Sequence, residues 1–132
     1  MAKKGKIKEA IADDEKVQQI DSTLHIDFES WDFLCWRGSL TGFAQDVMPF
    51  CERAVELAPT AKKDWVRDSR GLAKALRGDY SGAIEDFKAY VEGSKANNMF
   101  EKYGQKREEW INALEAGKNP FNAETLEALR KE

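Results

Sequence analysis

Apolar residues recur along the chain at three- and four-residue intervals and rarely alternate, a helical pattern rather than a strand pattern. Ile7, Ala10, Ile11, Val17 and Ile20 mark the apolar side of a first helix over about 7–20, and 21–27 reads as a connection. Ser30 is placed to cap a second helix from Trp31 to about Thr41, with Gly42 to end it. A third helix is expected over about Phe43–Leu57, stopped by Pro59. A fourth covers about Asp64–Arg77, ahead of Gly78-Asp79, and a fifth runs from Tyr80 to about Glu92, closed by Gly93. A long helix over about Asn97–Glu115 is stopped by Gly117 and Asn119-Pro120, and Asn122 caps a last one over about Ala123–Lys131. With connections this short, successive helices should be antiparallel neighbours, giving an all-α fold.

The pattern repeats. Gly42 is followed at fixed offsets by Val47, Cys51 and Ala54; Gly78 by Ala83, Phe87 and Tyr90; Gly5 by Ala10, Asp14 and Val17. The three glycines lie 37 and 36 residues apart, a period belonging to stacked helix pairs. Trp31, Leu34, Cys35 and Gly38, followed by Gly42, Val47, Cys51, Ala54 and Pro59, resemble a tetratricopeptide repeat in order and spacing. Arg70-Gly71-Leu72-Ala73, then Gly78-Asp79-Tyr80, Ala83-Ile84 and Phe87, resemble a second copy. Gly5 to Ile11 looks like only the second half of a repeat, as in a piece of a longer protein. The resemblance implies antiparallel α-hairpin repeats: a half repeat at 5–24, repeats at 28–61 and 64–96, and capping and trailing helices at 97–132. It also implies small residues at the crossings (Cys35, Gly71, Ala54, Ala83) and an outer polar face on the capping helix, including Lys102, Lys106, Arg107, Glu108 and Glu109. The region from Leu34 to Leu129 further resembles a helical module at the C-terminal ends of large multidomain bacterial, notably cyanobacterial, proteins. That likeness is carried by Asp68-Ser69-Arg70-Gly71-Leu72-Ala73 and by Trp110-Ile111 with Asn119-Pro120-Phe121.

Composition narrows the function classes. The chain has 132 residues, one domain's worth. A net charge of -3 gives no basic excess for a phosphate backbone, which argues against a nucleic-acid partner. No apolar run approaches the roughly 20 residues that cross a bilayer, and the start, MAKKGKIKEA, lacks the apolar stretch of a signal peptide. Cys35 and Cys51 sit in apolar segments without CxxC spacing and read as thiols of a reducing compartment, so a cytoplasmic, non-membrane protein is expected. The two cysteines could lie near each other across a helix pair, but neither has an activating neighbour.

Reactive chemistry is sparse. His25, the lone histidine, falls in a connection, and no glycine-rich phosphate loop is present. No metal-ligand spacing occurs, so no metal and no cofactor are expected. Two other features draw attention. Lys63, Arg67, Arg70, Lys74 and Arg77 fall within about 80° of arc on one helix, with Trp65, Leu72 and Leu76 roughly opposite. This stripe either receives an acidic peptide or a C-terminal carboxylate, or pairs internally with Glu52, Glu56, Glu85 or Asp86; the internal pairing is favoured. The helix from Trp31 is apolar on two sides, and Phe33 and Trp36 either pack on the 7–20 helix or face a groove.

The resemblance places Asp32, Trp36, Ser39 and Leu40, then Trp65, Asp68, Leu72 and Ala75, on a concave inner surface. The Lys/Asn set of a carboxylate clamp is not among them. The reading is a non-catalytic protein–protein interaction module that binds a peptide or partner protein through Trp36, Leu40, Trp65, Asp68, Arg67, Arg70, Leu72 and Lys74. Its rival is a structural or oligomerisation module terminating a larger bacterial signalling or defence-type protein, with self-association through the unpaired N-terminal half repeat.

Overall fold

The computed structural model describes residues 27–131 apart from 97 and 99, so the expected first helix, the half repeat at 5–24 and His25 lie outside the described residues. Among the described residues there are six α-helices and no strand: α1 Phe28–Leu40, α2 Met48–Leu57, α3 Lys63–Leu76, α4 Tyr80–Ala96, α5 Gln105–Glu115 and α6 Ala123–Arg130. A 3-10 turn, Thr60–Lys62, leads into α3, and a π-helical turn, Phe100–Gly104, leads into α5. No helix is long and apolar enough to cross a membrane, among the described residues.

Three helices end in the same way. Gly42, Gly78 and Gly117 have φ of 94°, 88° and 76°, the left-handed region that a side chain makes costly. The amide that follows each glycine reaches a carbonyl five residues back: Phe43 to Gly38, Asp79 to Lys74 and Lys118 to Ala113, each at 2.8 Å. These bonds satisfy the last turn of α1, α3 and α5. At the other end of the chain, Asn122 caps α6 as the sequence suggests, accepting the Thr125 N–H at 2.8 Å.

Other boundaries differ from expectation, each for a local reason. Asp27 rather than Ser30 caps α1: its Oδ1 accepts the Ser30 N–H at 2.8 Å, so Ser30 is the residue being capped. Helix α2 starts at Met48 instead of Phe43, because Pro49 in its first turn has no N–H with which to continue a helix from Gln45. Gly93 does not close α4 but lies inside it, where a Cβ would come within 2.9 Å of the Asp64 carboxylate. Between α4 and α5, the expected start of the long helix is replaced by Asn98 at φ 65° and the π-helical turn.

Each helix from α1 to α5 packs on its neighbour in sequence; α1 also packs on α3, and α6 returns to α1. One buried cluster joins α1, α2 and α3 through Trp31, Cys35, Phe50, Ala54 and Val66. A second joins α3, α4 and α5 through Leu72, Ala83, Phe87, Trp110 and Leu114, with Phe121 edge-on to Trp110 at 4.8 Å between centroids. Burying a large apolar side chain contributes about 1.5–3 kcal/mol, so such clusters outweigh the surface ion pairs. The closing helix belongs to this core: Leu129 is buried, and Arg130 Nε donates to the Leu40 carbonyl at 2.9 Å, satisfying the end of α1.

Cys35 and Cys51 are not separate thiols. They form a disulfide across the α1–α2 crossing, with Cα atoms 5.0 Å apart and both side chains buried. A bridge closing a loop of 16 residues restricts the unfolded chain and contributes about 3 kcal/mol. The free thiols from which a reducing compartment was expected are therefore not present, since both cysteines are joined.

Helices α3 and α4 cross closely at Gly71, where a Cβ would meet Phe87 Cε1 at 2.9 Å and Asp86 Cβ at 3.1 Å. Alanine gains about 1 kcal/mol of helix propensity but overpacks a crossing where extra atoms cost about 1–3 kcal/mol. Gly71→Ala is therefore expected to lower the urea midpoint with an unchanged m-value. A midpoint at or above that of the parent would show that the crossing yields.

Candidate partner-binding groove

Helices α1 and α3 lie side by side, and their aromatic and acidic residues share a common face. Asp32 and Trp36 are one turn apart on α1, and Trp65 and Asp68 are nearly so on α3. Tyr90 from α4, Tyr103 from the π-helical turn and Arg107 from α5 close the far side. The result is a cleft of about 400 Å³, with Glu29 and Phe33 at its rim. Trp65, Tyr90 and Tyr103 also line an adjoining cleft of about 390 Å³, which reaches Asp64 and Ser94.

The floor of this groove is electrostatic. Arg107 binds Asp68 through two parallel bonds, Nε to Oδ1 at 3.0 Å and Nη2 to Oδ2 at 2.8 Å, and both residues are buried. The guanidinium also lies 4.5 Å from the Trp110 ring centroid and 5.1 Å from that of Tyr90, a cation held by a carboxylate and aromatic faces together. Arg107 was expected on the polar outer face of the capping helix, with Lys102 and Lys106, which are exposed. It turns inward because Asp68, 39 residues earlier, supplies its partner.

Asp32 sits beside this pair. It is 7% exposed and its Oδ1 has no hydrogen-bond partner. Burial pushes its carboxyl up to about 7; Ser69 opposes the shift with a hydrogen bond, and the Asp68 charge adds to it.

The expected site residues divide into three groups. Trp36, Trp65 and Asp68 line the groove, and Trp65 is 46% exposed. Leu40 and Leu72 are 1% and 0% exposed, so they are core residues and not contact surface. Leu72 is covered because α3 is enclosed by α1, α2 and α4, and Leu40 because α6 folds back over the end of α1. Ser39 and Ala75, also placed on the inner surface, are buried as well.

Arg67, Arg70 and Lys74 form the third group, and they face away from the groove onto Asp86 of α4. Arg67 Nε and Arg70 Nη2 reach Asp86 Oδ1 at 2.9 and 2.8 Å; Arg70 Nε and Lys74 Nζ reach Oδ2 at 2.9 and 3.3 Å. Arg70 extends to Glu52 of α2 at 3.2 Å, while Lys63 donates to the Val55 carbonyl at the end of that helix at 2.6 Å. The stripe is an internal network. Burial pushes the Asp86 carboxyl up, but hydrogen bonds and charge from Arg70, then Arg67 and Lys74, overcome it and hold the group below the ordinary carboxylate range.

Sequence reading missed Arg107, Tyr90 and Tyr103 as groove residues. Their position depends on how α4 and α5 meet α3, which helical spacing does not encode. Among the described residues, no group of three or more His, Cys, Asp or Glu side chains is placed to hold a metal ion. No family model, curated protein or solved structure matches the chain.

Two stability predictions follow from these carboxylates. Asp86→Asn leaves three cations facing one another in a buried site, and a loss of about 3–5 kcal/mol at pH 7 is expected from urea unfolding. The Asp86 contribution is present above the unfolded carboxylate pKa of about 3.9 and is lost as pH falls through its lower folded value. The defect should therefore shrink in acid, and a pH-independent defect would assign it to packing alone. Asp32 has the opposite sign. Its contribution is fully present below about pH 4 and is lost as pH rises towards its folded value of about 7. Asp32→Asn is expected to raise Tm above pH 7, with the gap closing towards pH 4; an equal gap at both would show an unshifted carboxyl.

Proposed function

We propose that the chain is a non-catalytic protein–protein interaction module of tetratricopeptide-like helix pairs, binding a peptide or partner protein in the groove between α1 and α3. The observation that carries this reading is Trp65, a large aromatic side chain left 46% exposed between two adjoining clefts, with Phe33 52% exposed at the rim. Aromatic residues in partly enclosed grooves are the usual anchors of protein recognition. A groove with rigid walls also lowers the ordering cost of binding, and here the walls are fixed by the Asp68–Arg107 pair and the Asp86 network.

The buried carboxylates Asp68 and Asp86 are already engaged, Asp68 by Arg107 and Asp86 by Arg67, Arg70 and Lys74. This supports binding over catalysis. The stripe is no longer part of the proposed contact surface, which consists of Trp36, Trp65 and Asp68 with Asp32, Tyr90 and Tyr103.

Trp65→Ala separates a contact from a core residue. Partner capture should fall at least about tenfold, the loss typical of an interface anchor, while helicity and Tm stay near those of the parent. Unfolding on substitution would make Trp65 a structural residue, and unchanged capture would move the binding surface elsewhere.

A further inference from the structure

Most of the cations along one side of α3 are engaged. Lys63 donates to the Val55 carbonyl, and Arg67, Arg70 and Lys74 converge on Asp86. Arg77, the last of the stripe, differs from them. Its side chain is exposed, and among the described residues it makes no hydrogen bond or ion pair. Asp79, two residues on, is turned to the start of α4, where its Oδ1 accepts the Gly82 N–H at 3.0 Å.

Arg77 lines a cleft of about 750 Å³, nearly twice the volume of either cleft in the groove. The cleft lies where the ends of α1 and α3 meet α6, about 18 Å along α3 from Trp65 at 1.5 Å per residue. Arg77 and Arg130 are the charged residues lining it, and no carboxylate among the described residues does so. Arg130 is fixed in place: Nε donates to the Leu40 carbonyl at 2.9 Å and Nη1 to Glu127 at 2.7 Å. Arg37 donates through Nη1 to the Arg130 carbonyl at 3.3 Å and brings a third guanidinium to the same corner. Glu127 offsets one of these charges, and Arg77 remains uncompensated.

Two helices end beside the cleft, and open carbonyls at helix C-termini would repel an anion. Here they are covered. The Thr41, Gly42 and Phe43 amides donate to the last turn of α1, and the Arg77, Gly78 and Asp79 amides to that of α3. Leu76 and Leu126 line the same cleft and are partly exposed, so it presents an aliphatic wall beside its cations.

We infer that this cleft binds the acidic side chain of a peptide with an aliphatic residue next to it. The carboxylate accepts from the Arg77 guanidinium, Arg130 and Arg37 add positive potential, and the aliphatic group lies against Leu76 and Leu126. This site is separate from the groove and goes beyond the reading above. A guanidinium fork suits carboxylates and phosphates alike. A bare phosphate or a nucleic-acid backbone, however, would leave the leucine wall unused, whereas a peptide carries charge and aliphatic surface together.

The test is calorimetric titration of the whole chain, at low ionic strength, with the peptide Ac-Ala-Leu-Glu-Leu-Ala-NH2. Versions carrying glutamine for glutamate or serine for both leucines, and inorganic phosphate alone, are titrated in parallel. A charge-assisted bond predicts that the glutamate peptide binds at least about tenfold tighter than the glutamine peptide. The preference should shrink as salt is added, because Arg77 is exposed to screening ions. Serine for leucine should also weaken binding, and phosphate should bind more weakly than the glutamate peptide. Arg77→Gln should remove the glutamate preference with Tm near that of the parent, while Trp65→Ala leaves it intact. The peptide series on the unaltered protein tests the site even where a variant folds poorly. Equal binding of the glutamate and glutamine peptides, or of the leucine and serine peptides, overturns the proposal. So does tighter binding of phosphate, a preference that survives Arg77→Gln, or no binding by any peptide. Loss of the preference with Trp65→Ala would put the contact in the groove and overturn this site while leaving the groove standing.

Discussion

Helix α3 carries Arg67, Asp68, Arg70 and Lys74 within two turns and is enclosed by α1, α2 and α4, so these charges must find partners as they leave water. The described fold depends on how that requirement is met. On one side Asp86, fully buried, gathers three cations and ties α3 to α4; Arg70 extends the network to Glu52 on α2. On the other side Asp68 draws Arg107 inward and ties α3 to α5. Buried charges contribute little net stability compared with apolar residues of similar size, but a missing partner is costly. They penalise any arrangement in which α3 is rotated or slid against its neighbours.

Apolar packing works around these networks. Gly71 lets α4 approach until Phe87 and Asp86 reach the α3 backbone, so the same close crossing seats both an aromatic ring and a buried carboxylate. The disulfide fixes the α1–α2 crossing in the same relation, and α6 seals the end of α1 through Leu129 and Arg130. Because these contacts fix α1, α3 and α4 relative to one another, Trp36, Trp65, Tyr90 and Tyr103 surround a shared cleft while Asp32 stays beneath them without a full set of hydrogen bonds. The groove follows from the packing, and its acidity follows from the residues that packing brings together.

Much of this could be read locally. Gly42, Gly78 and Gly117 mark helix ends because a left-handed residue after the last turn is a backbone requirement that glycine meets cheaply. Asn122 marks a helix start by the same kind of local bond. Gly93 misled, since a glycine can also serve close approach within a helix, here towards Asp64. Ser30 misled because a capping side chain and the residue it caps are both small and polar. Of the residues expected to touch a partner, Trp36, Trp65 and Asp68 were legible from the common face of two helices. Leu40 and Leu72 share that periodicity, and only the neighbouring helices reveal that they are covered.

By itself the sequence determined the helical class, most helix ends and the small residues at crossings, because these depend on bonds and contacts within a few residues or on a short repeat. Tertiary structure alone decided which charges meet. The stripe of Arg67, Arg70 and Lys74 turns onto Asp86, and Arg107 crosses to Asp68 instead of facing solvent. It also decided that Cys35 and Cys51 are joined and that Asp32 is buried beside a second carboxylate. The reason is that burial and long-range pairing depend on the rotation of each helix against its neighbours, which a periodic pattern constrains to a face but not to a partner.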